Sequence, residues 1–303
     1  MWAVKRRRSG GGGASLNLNF TASMPGGVTV VSSPVGYARS STGLTSFTAN
    51  AGRRTDLGLV VEPAATNVIL YNQQFDNTLA WTPTNCTTTA NAVNDPTGSA
   101  TAEKIQETAV SNVHFFNYTA TAVTKTANVD WVYSVYVKPE ERTWCAIELY
   151  DGPNNRGYFN LSGAGTVGTL SNSLTNGGIQ QVGSSGWYRV WGKINNANTG
   201  EVPSIQTATG DLTNIFLGVA GSGIDVWNAQ FELGATPTTP ILTTSAAATR
   251  TADNIQFTVP AGITNLTYTF DDNSTQLVTG VSAGTYTIPT NLNRAQIKTI
   301  VGS

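Results

Sequence analysis

The sequence predicts an all-β protein: an antiparallel jelly-roll or β-sandwich domain with an N-terminal arm and a small C-terminal β unit. Many short segments alternate apolar and polar residues with a period of two, and clusters of Gly, Pro and Asn separate them. Charged residues make up only 12% of the 303 residues, about half the usual share of roughly 25%. Exposed helix faces need more charge than this, so a helical protein is excluded.

The N-terminal 62 residues divide into two predicted parts. Residues 1–15 combine a basic tip with a glycine run, which predicts an attachment arm; the alternative is a tail with no docking role. The basic residues of this arm are Lys5, Arg6, Arg7 and Arg8. Residues 16–62 predict short strands, among them 28–31 and 57–61, that pack on the main domain.

The main domain, an antiparallel sandwich or jelly roll, is predicted over residues 63–252. Four segments alternate most clearly: 129–138, 143–150, 187–194 and 224–233. Turn-forming sequences such as Gly-Pro-Asn-Asn separate them, and no amphipathic helix interrupts them. This pattern is typical of a sandwich of antiparallel strands.

Residues 253–303 predict a small C-terminal β unit of five short strands. About 50 residues bury too little apolar surface for a stable core of their own. We therefore expect this unit to lean on the main domain or on a neighbouring copy of the chain. The second arrangement predicts a homo-oligomer, and a homotrimer is the form we expect.

Charge and hydropathy exclude several classes of partner. The net charge is −1, and no basic face is visible beyond the arm, so we expect no binding to nucleic acid. No apolar run approaches 18 residues, so we expect no membrane insertion. The basic start lacks a following apolar stretch, so we expect no signal peptide. Cys86 and Cys145 match no metal-binding spacing and are expected to be free thiols.

The sequence offers little for catalysis, and we predict that the chain is not an enzyme. Its single histidine, His114, is expected to be packed, and a histidine-based metal site needs more than one. Two carboxylates suffice for a glycosidase. The crowded acids are Glu140 with Glu141, Glu148 with Asp151, and Asp271 with Asp272. We expect these acids to be solvated, and we expect Glu62 and Glu232 to accept structural hydrogen bonds.

No cofactor and no metal ion are predicted. The one alternative is calcium held by the loop 151–155, since loop carboxylates and carbonyls are its usual ligands. That loop lacks a dense repeat of aspartates, so a plain turn is the favoured interpretation.

Aromatic residues give the strongest functional signal. Strand alternation places one set of aromatic and charged side chains opposite the predicted core face, and sugars stack on such rings and bond such polar groups. The predicted carbohydrate-binding residues are Tyr136, Trp144, Glu148, Tyr150, Arg189 and Trp191. They form one platform if their strands are neighbours. The alternative is that the N-terminal strands or another subunit cover this face.

Four segments in the same order resemble a module of tailed-bacteriophage structural proteins. They are GLVVEPAATNVILYNQQFDNTLAW (58–81), YSVYVKPEE (133–141), GWYRVWGKI (186–194) and VWNAQFELGATPTTPILTTSAAATRTAD (226–253). The resemblance covers roughly residues 16–253. It implies a jelly roll similar to lectin-like and carbohydrate-binding modules, carried on a tail fibre, tail spike or head fibre. Ala65 departs from the family, which often has arginine there.

The resemblance implies a virion structural protein, assembled in the bacterial host cytoplasm and attached to other virion proteins through the arm. Display of the lectin-like domain is its expected role, with binding of host-surface glycans as a second candidate role. Two alternatives belong to other classes: a polysaccharide depolymerase, that is, a glycoside hydrolase, and a secreted carbohydrate-binding protein. A depolymerase would release reducing ends from a polysaccharide. A secreted protein would carry a signal peptide.

Overall fold

A computed structural model describes residues 14–120 and 123–303, and all regular secondary structure in these ranges is β. The all-β prediction is confirmed. No helix in the described ranges is long and apolar enough to cross a membrane. The predicted attachment residues Lys5 to Arg8 lie outside the described residues.

Twenty-eight strands occur in the described ranges. The first ten are β1 (Leu16–Asn19), β2 (Val28–Ser32), β3 (Gly36–Arg39), β4 (Leu44–Phe47), β5 (Arg54–Thr55), β6 (Gly58–Val60), β7 (Ala65–Asn67), β8 (Trp81–Thr84), β9 (Cys86–Val93) and β10 (Ala102–Glu107). The next nine are β11 (Ser111–Asn112), β12 (Phe115–Tyr118), β13 (Val123–Thr124), β14 (Trp131–Pro139), β15 (Trp144–Tyr150), β16 (Asn154–Asn160), β17 (Thr166–Leu170), β18 (Leu174–Gln181) and β19 (Tyr188–Ile194). The last nine are β20 (Gly200–Ala208), β21 (Phe216–Leu217), β22 (Gly223–Leu233), β23 (Ala248–Arg250), β24 (Asn254–Val259), β25 (Asn265–Phe270), β26 (Thr275–Thr279), β27 (Gly284–Thr287) and β28 (Gln296–Gly302).

Two antiparallel sheets form a sandwich, called here the main sandwich. The front sheet has the order β18-β19-β14-β22-β10-β9, and the back sheet has the order β17-β16-β15-β20-β12-β8, with β13 beside β20. Alternate residues of each strand point into the shared core, as the period of two predicts. Val135 and Val190 enter it from the front sheet, and Ile147, Phe159 and Ile205 enter it from the back sheet.

The two ends of the described chain form a second unit, called here the terminal unit. Strands β1, β6 and β25 all pair with β28, while β2 and β27 pair with β24. These strands enclose one apolar core that joins Phe20 and Leu59 to Ile255, Tyr268 and Ile300. Each fully buried side chain of this size contributes roughly 1.5–3 kcal/mol.

This pairing differs from the organisation expected from the sequence, in which residues 16–62 pack on the main domain and residues 253–303 lean on that domain or on a neighbouring copy. The strands that complete the C-terminal unit come from residues 16–62 of the same chain, so a neighbouring copy is not needed to close its core. Only part of the N-terminal segment packs on the main sandwich, where Leu44 of the β3–β4 hairpin contacts the front sheet. The strands at the two ends are about 280 positions apart, and alternation within a strand does not specify its partner.

Candidate functional site

The six predicted carbohydrate-binding residues do not lie on one platform. Strand β15, which carries Trp144, Glu148 and Tyr150, belongs to the back sheet, whereas β19, with Arg189 and Trp191, belongs to the front sheet. The condition for a single platform, that these strands are neighbours, is therefore not met. Alternation identifies which residues of a strand face the core, but both sheets face the same core, and their outer faces point in opposite directions.

Tyr136, Arg189 and Trp191 remain together on the outer face of the front sheet. Tyr136 is the cross-strand partner of Arg189, and Ser134 is the partner of Trp191. The Arg189 guanidinium lies 5.1 Å from the centre of the Tyr136 ring. It donates hydrogen bonds of 2.5 Å to the Thr238 carbonyl and 2.9 Å to the Ser134 hydroxyl. These contacts hold Arg189 in one position.

Trp191 is partly exposed and lies against strand β18. A Cβ atom at Gly178, its partner on β18, would lie only 2.5 Å from the Trp191 Nε1 atom. Glycine is therefore needed at this position for the indole to approach the strand backbone.

Part of the front sheet is covered, as the alternative interpretation of the aromatic face expected. Trp187 and Trp227 are 1% and 0% exposed and pack with Leu44 of the N-terminal hairpin. Tyr37 from the same hairpin meets Trp227 edge to face at 6.1 Å. These tryptophans are core residues of the contact between the front sheet and the β3–β4 hairpin.

A cleft of about 400 Å³ remains open between the front sheet and the terminal unit. Its front-sheet wall includes Tyr136, Gly178, Gln180, Arg189 and Trp191. Its opposite wall, called here the terminal-unit wall, includes Arg39 from the β3–β4 hairpin and Asp271, Asn293, Arg294 and Gln296 from the terminal unit. The volume falls in the range of roughly 300–1,000 Å³ that is usual for small-molecule sites, which often lie between domains.

The terminal-unit wall carries the cleft cluster, which consists of Arg39, Arg294, Asp271 and Asp272. Asp271 accepts bonds of 2.7 and 2.9 Å from Arg294 and a third, short bond from Arg39. Its side chain is 3% exposed, whereas Arg39 and Arg294 are 22% and 35% exposed. Asp272 lies 3.4 Å from Arg294 and is 43% exposed. The two guanidiniums are thus fixed at the cleft, and in the described part of the chain Arg39 donates no hydrogen bond other than the one to Asp271.

A second group of charges, the buried cluster, joins the two units behind the cleft. It consists of Arg53, Arg250, Glu62 and Asp253, none more than 4% exposed. The Glu62 carboxylate accepts 2.7 and 2.6 Å bonds from Arg53 and Arg250 and two further bonds from Thr239. Asp253 accepts bonds from Arg53, the Ser33 hydroxyl and the Glu62 amide. Every carboxylate oxygen in the cluster has a partner.

Burial opposes ionisation of Glu62, but the guanidiniums of Arg250 and Arg53 outweigh it and lower the pKa of Glu62 to about 2. Glu232 accepts bonds of 2.8 and 2.6 Å from the Thr238 amide and hydroxyl. The expectation that Glu62 and Glu232 are structural acceptors is confirmed. Glu62 lies in the segment 58–81, and Arg250 and Asp253 lie in the segment 226–253. These two segments meet at this junction.

The back sheet carries the other three predicted residues. Glu148 accepts hydrogen bonds of 2.7 Å from Arg156 and 2.9 Å from Gln206, and is 8% exposed. Trp144 packs beside Tyr158, and Tyr150 is 48% exposed at the strand end. None of these three residues lines the cleft at the front sheet or the pocket formed by residues 34–37, 240–242 and 248–251. Their role in carbohydrate binding stays a prediction.

The remaining chemical candidates are engaged in structure. His114 is buried, its ring centre 4.9 Å from that of Phe216 and its Nε2 atom 3.2 Å from the Thr108 carbonyl oxygen. Cys86 and Cys145 are free and buried, as expected. Burial raises the pKa of the Cys86 thiol to about 12.

The acid pairs and the loop 151–155 are bonded to neighbouring side chains. Glu140 and Glu141 bond Lys138 and Lys104. Asp151 accepts bonds from three asparagine amides: those of Asn155, Asn196 and Asn198. In the described ranges, no three His, Cys, Asp or Glu side chains form a candidate metal-binding group.

Sequence reasoning missed the terminal-unit wall of the cleft. Arg39 lies in β3, Asp271 follows β25 and Arg294 precedes β28, so the three positions span more than 250 residues. Asp271 was expected to be a solvated turn acid. It is 3% exposed instead, because two arginines from distant segments converge on it. No local pattern signals this convergence.

No protein-family model matches the chain, and no curated protein matches it significantly. Two solved structures are distantly similar. One is the enzymatically active domain of tailspike protein 4 of bacteriophage CBA120, with 14% identity over 55% of this chain, 21% of that chain and a TM-score of 0.33. The other comprises the CBM22-1 and GH10 modules of Clostridium thermocellum endo-1,4-beta-D-xylanase 10B complexed with xylohexaose, with 12% identity, 57% and 28% coverage and a TM-score of 0.30. This chain thus spans less than a third of either one.

Proposed function

We propose that this chain is a non-catalytic structural protein of a bacteriophage appendage that binds glycans in the cleft between its two units. The cleft carries this proposal, because it places a partly exposed tryptophan opposite fixed guanidinium and amide groups. Sugar rings stack their C–H faces on aromatic rings, while their hydroxyls bond charged and amide side chains. Trp191 supplies the first contact, and Arg39, Arg294 and Asn293 supply the second.

The carboxylates of the cleft favour binding over hydrolysis. Glu62 and Asp271 are the two that line it. A glycosidase needs one carboxyl group that holds its proton near neutral pH. Glu62, with a pKa of about 2, is ionised there, and both carboxylates are engaged by two arginines each. This arrangement supports an adhesion role.

Sequence resemblance supports the virion part of the proposal. The four segments occur in family order. Glu62 from the first segment and Arg250 and Asp253 from the last form, together with Arg53, the charged junction beside the cleft. In this proposal the chain assembles in the bacterial cytoplasm as a homotrimer and joins other virion proteins through residues 1–15. Peptide mass spectrometry of purified particles and light scattering of the purified chain test these two points. A chain absent from particles, or monomeric at micromolar concentration, contradicts them.

A glycan array tests the binding site directly. Trp191→Ala should abolish or strongly reduce binding, because it removes the stacking surface of the cleft. Trp144→Ala is the matched control, since Trp144 is also a partly exposed tryptophan but lies on the opposite sheet. Both variants should keep the wild-type melting temperature within a few degrees.

Three outcomes overturn parts of this proposal. Loss of binding in Trp144→Ala alone would move the site to the back sheet. Binding by neither the wild type nor any variant would refute glycan adhesion. Release of reducing ends from a polysaccharide that the wild type binds would make the chain a depolymerase.

A further inference from the structure

The arginines of the proposed glycan-binding cleft restrict the class of saccharide that it binds. We propose that it selects saccharides that carry an anionic group, a carboxylate or a sulfate, and that Arg39 and Arg294 bind this group. This inference rests on the proposed function.

The first argument is the ratio of guanidiniums to carboxylates on the terminal-unit wall. Arg39 and Arg294 share one buried carboxylate, Asp271. Asp272 is within 4 Å of Arg294 alone, and it is 43% exposed, so water weakens its attraction. Among the residues that line the cleft, three arginines therefore face two carboxylates, Glu62 and Asp271, and Asp272 is not one of the lining residues.

The second argument is the number of donors left free. A guanidinium has five N–H groups. In the described part of the chain, Arg39 donates to one acceptor, Asp271. Arg294 uses its Nε and Nη2 atoms on the same carboxylate, and its Nη1 atom lies 3.4 Å from the exposed Asp272 carboxylate. The remaining N–H groups can bond an anionic group in the paired geometry that arginine forms with carboxylates and sulfates.

The third argument is that the other arginines of the junction are too buried to bind an anionic group of a ligand. Arg53 is 0% exposed and Arg250 is 4% exposed, and both bond Glu62 and Thr239. Arg189 is 6% exposed and its two terminal nitrogens bond Thr238 and Ser134. Only Arg39 and Arg294 combine a fixed position with partial exposure at this cleft.

Isothermal titration with matched acidic and neutral polymers tests the inference. The probes are polygalacturonate against its methyl ester, and dextran sulfate against dextran. At least one acidic member should bind more tightly than its neutral partner, and added salt should weaken its binding because the arginines are partly exposed. The pair that shows the difference identifies whether the group is a carboxylate or a sulfate.

Arg39→Gln and Arg294→Gln should each weaken binding of that acidic probe by about tenfold, the loss expected for a charge-assisted hydrogen bond. Asp271→Asn should strengthen it, because the substitution removes the competing anion. Arg142→Gln is the matched control, since Arg142 is 18% exposed, pairs with Glu107 and does not line the cleft. Binding of the neutral partners should change little in all four variants.

The results separate this inference from the proposed function. Equal affinity for acidic and neutral partners, with Trp191→Ala still abolishing binding, would overturn the anion preference and leave glycan binding intact. Absence of binding to any of the four polymers and to the glycan array would overturn both. An acid preference that survives both arginine substitutions would also refute the roles of Arg39 and Arg294.

Discussion

Two arginine–carboxylate clusters lie in the same junction and differ in how completely their charges are paired. The buried cluster matches two arginines with two carboxylates, and Glu62 alone accepts four hydrogen bonds. The cleft cluster has two arginines around one buried carboxylate, Asp271, and its second carboxylate, Asp272, is 43% exposed and contacts Arg294 alone. Its arginines are 22% and 35% exposed.

This difference shows how one kind of side chain can serve two purposes. Buried ions are tolerated only when their partners compensate for lost hydration. In the buried cluster all four carboxylate oxygens are bonded, although the Nε atoms of Arg53 and Arg250 have no partner in the described part of the chain. The buried cluster ties residue 62, where the chain leaves the terminal unit, to residue 253, where the chain returns. Water reaches the cleft cluster, so arginine N–H groups without a protein acceptor destabilise the fold little there. These N–H groups are available to a ligand.

The largest expected effect comes from breaking the buried cluster. Arg53→Met, which is close in volume, leaves Asp253 and Glu62 buried with fewer partners and should lower the free energy of unfolding by about 3–5 kcal/mol. Arg39→Gln should cost less than about 1 kcal/mol, because its pair is partly solvated. Urea unfolding followed by tryptophan fluorescence measures both. Similar losses in the two variants would show that the clusters do not differ as described.

Much of the main sandwich follows from the sequence. The segment predicted at 143–150 is observed as Trp144–Tyr150, and that at 224–233 as Gly223–Leu233. In β15 the inward residues Cys145, Ile147 and Leu149 follow the alternation. In β22 a register shift interrupts the alternation, so Val226 faces the core and Trp227, which simple alternation groups with Ala229 and Phe231, faces outward.

Pairing between distant segments could not be predicted in the same way. Nothing in a single strand states that β1 will pair with β28, or that β15 and β19 belong to different sheets. For this reason the front-sheet half of the cleft was predicted as Tyr136, Arg189 and Trp191, while the terminal-unit half was missed. Arg39, Asp271 and Arg294 gain their role only when the two units meet.

The second largest expected effect is a dependence of the free energy of unfolding on pH, caused by Glu62. Its pKa is about 2 in the folded chain against an ordinary value of 4.5, so the folded state favours the ionised carboxylate. The resulting stability is fully present above pH 4.5 and is lost as the pH falls towards 2. The shift corresponds to about 3 kcal/mol, at 1.36 kcal/mol per pKa unit.

Glu62→Gln isolates this contribution from those of other acids. The difference in unfolding free energy between the wild type and this variant should shrink as the pH is lowered from 5 to 2, measured by urea unfolding at each pH. Asp271→Asn gives the corresponding difference for the cleft cluster. A difference for Glu62→Gln that is constant over this range would show that Glu62 is not held ionised by its arginines.

The smallest effect on stability, and the sharpest test of the comparison, is expected for Asp272→Asn. Asp272 is 43% exposed and 3.4 Å from Arg294, so the loss of its charge should change the free energy of unfolding by less than about 1 kcal/mol. Asparagine keeps the oxygen that accepts the 2.9 Å bond from the Ser274 amide, so the turn is preserved. The same substitution removes a negative charge beside Arg294 and should increase affinity for the preferred acidic polymer, measured by isothermal titration, with the largest increase at low salt. If Asp272→Asn lowers the free energy of unfolding without increasing affinity, the cleft cluster has the same structural role as the buried cluster. The proposed difference in charge pairing between the two clusters would then be refuted.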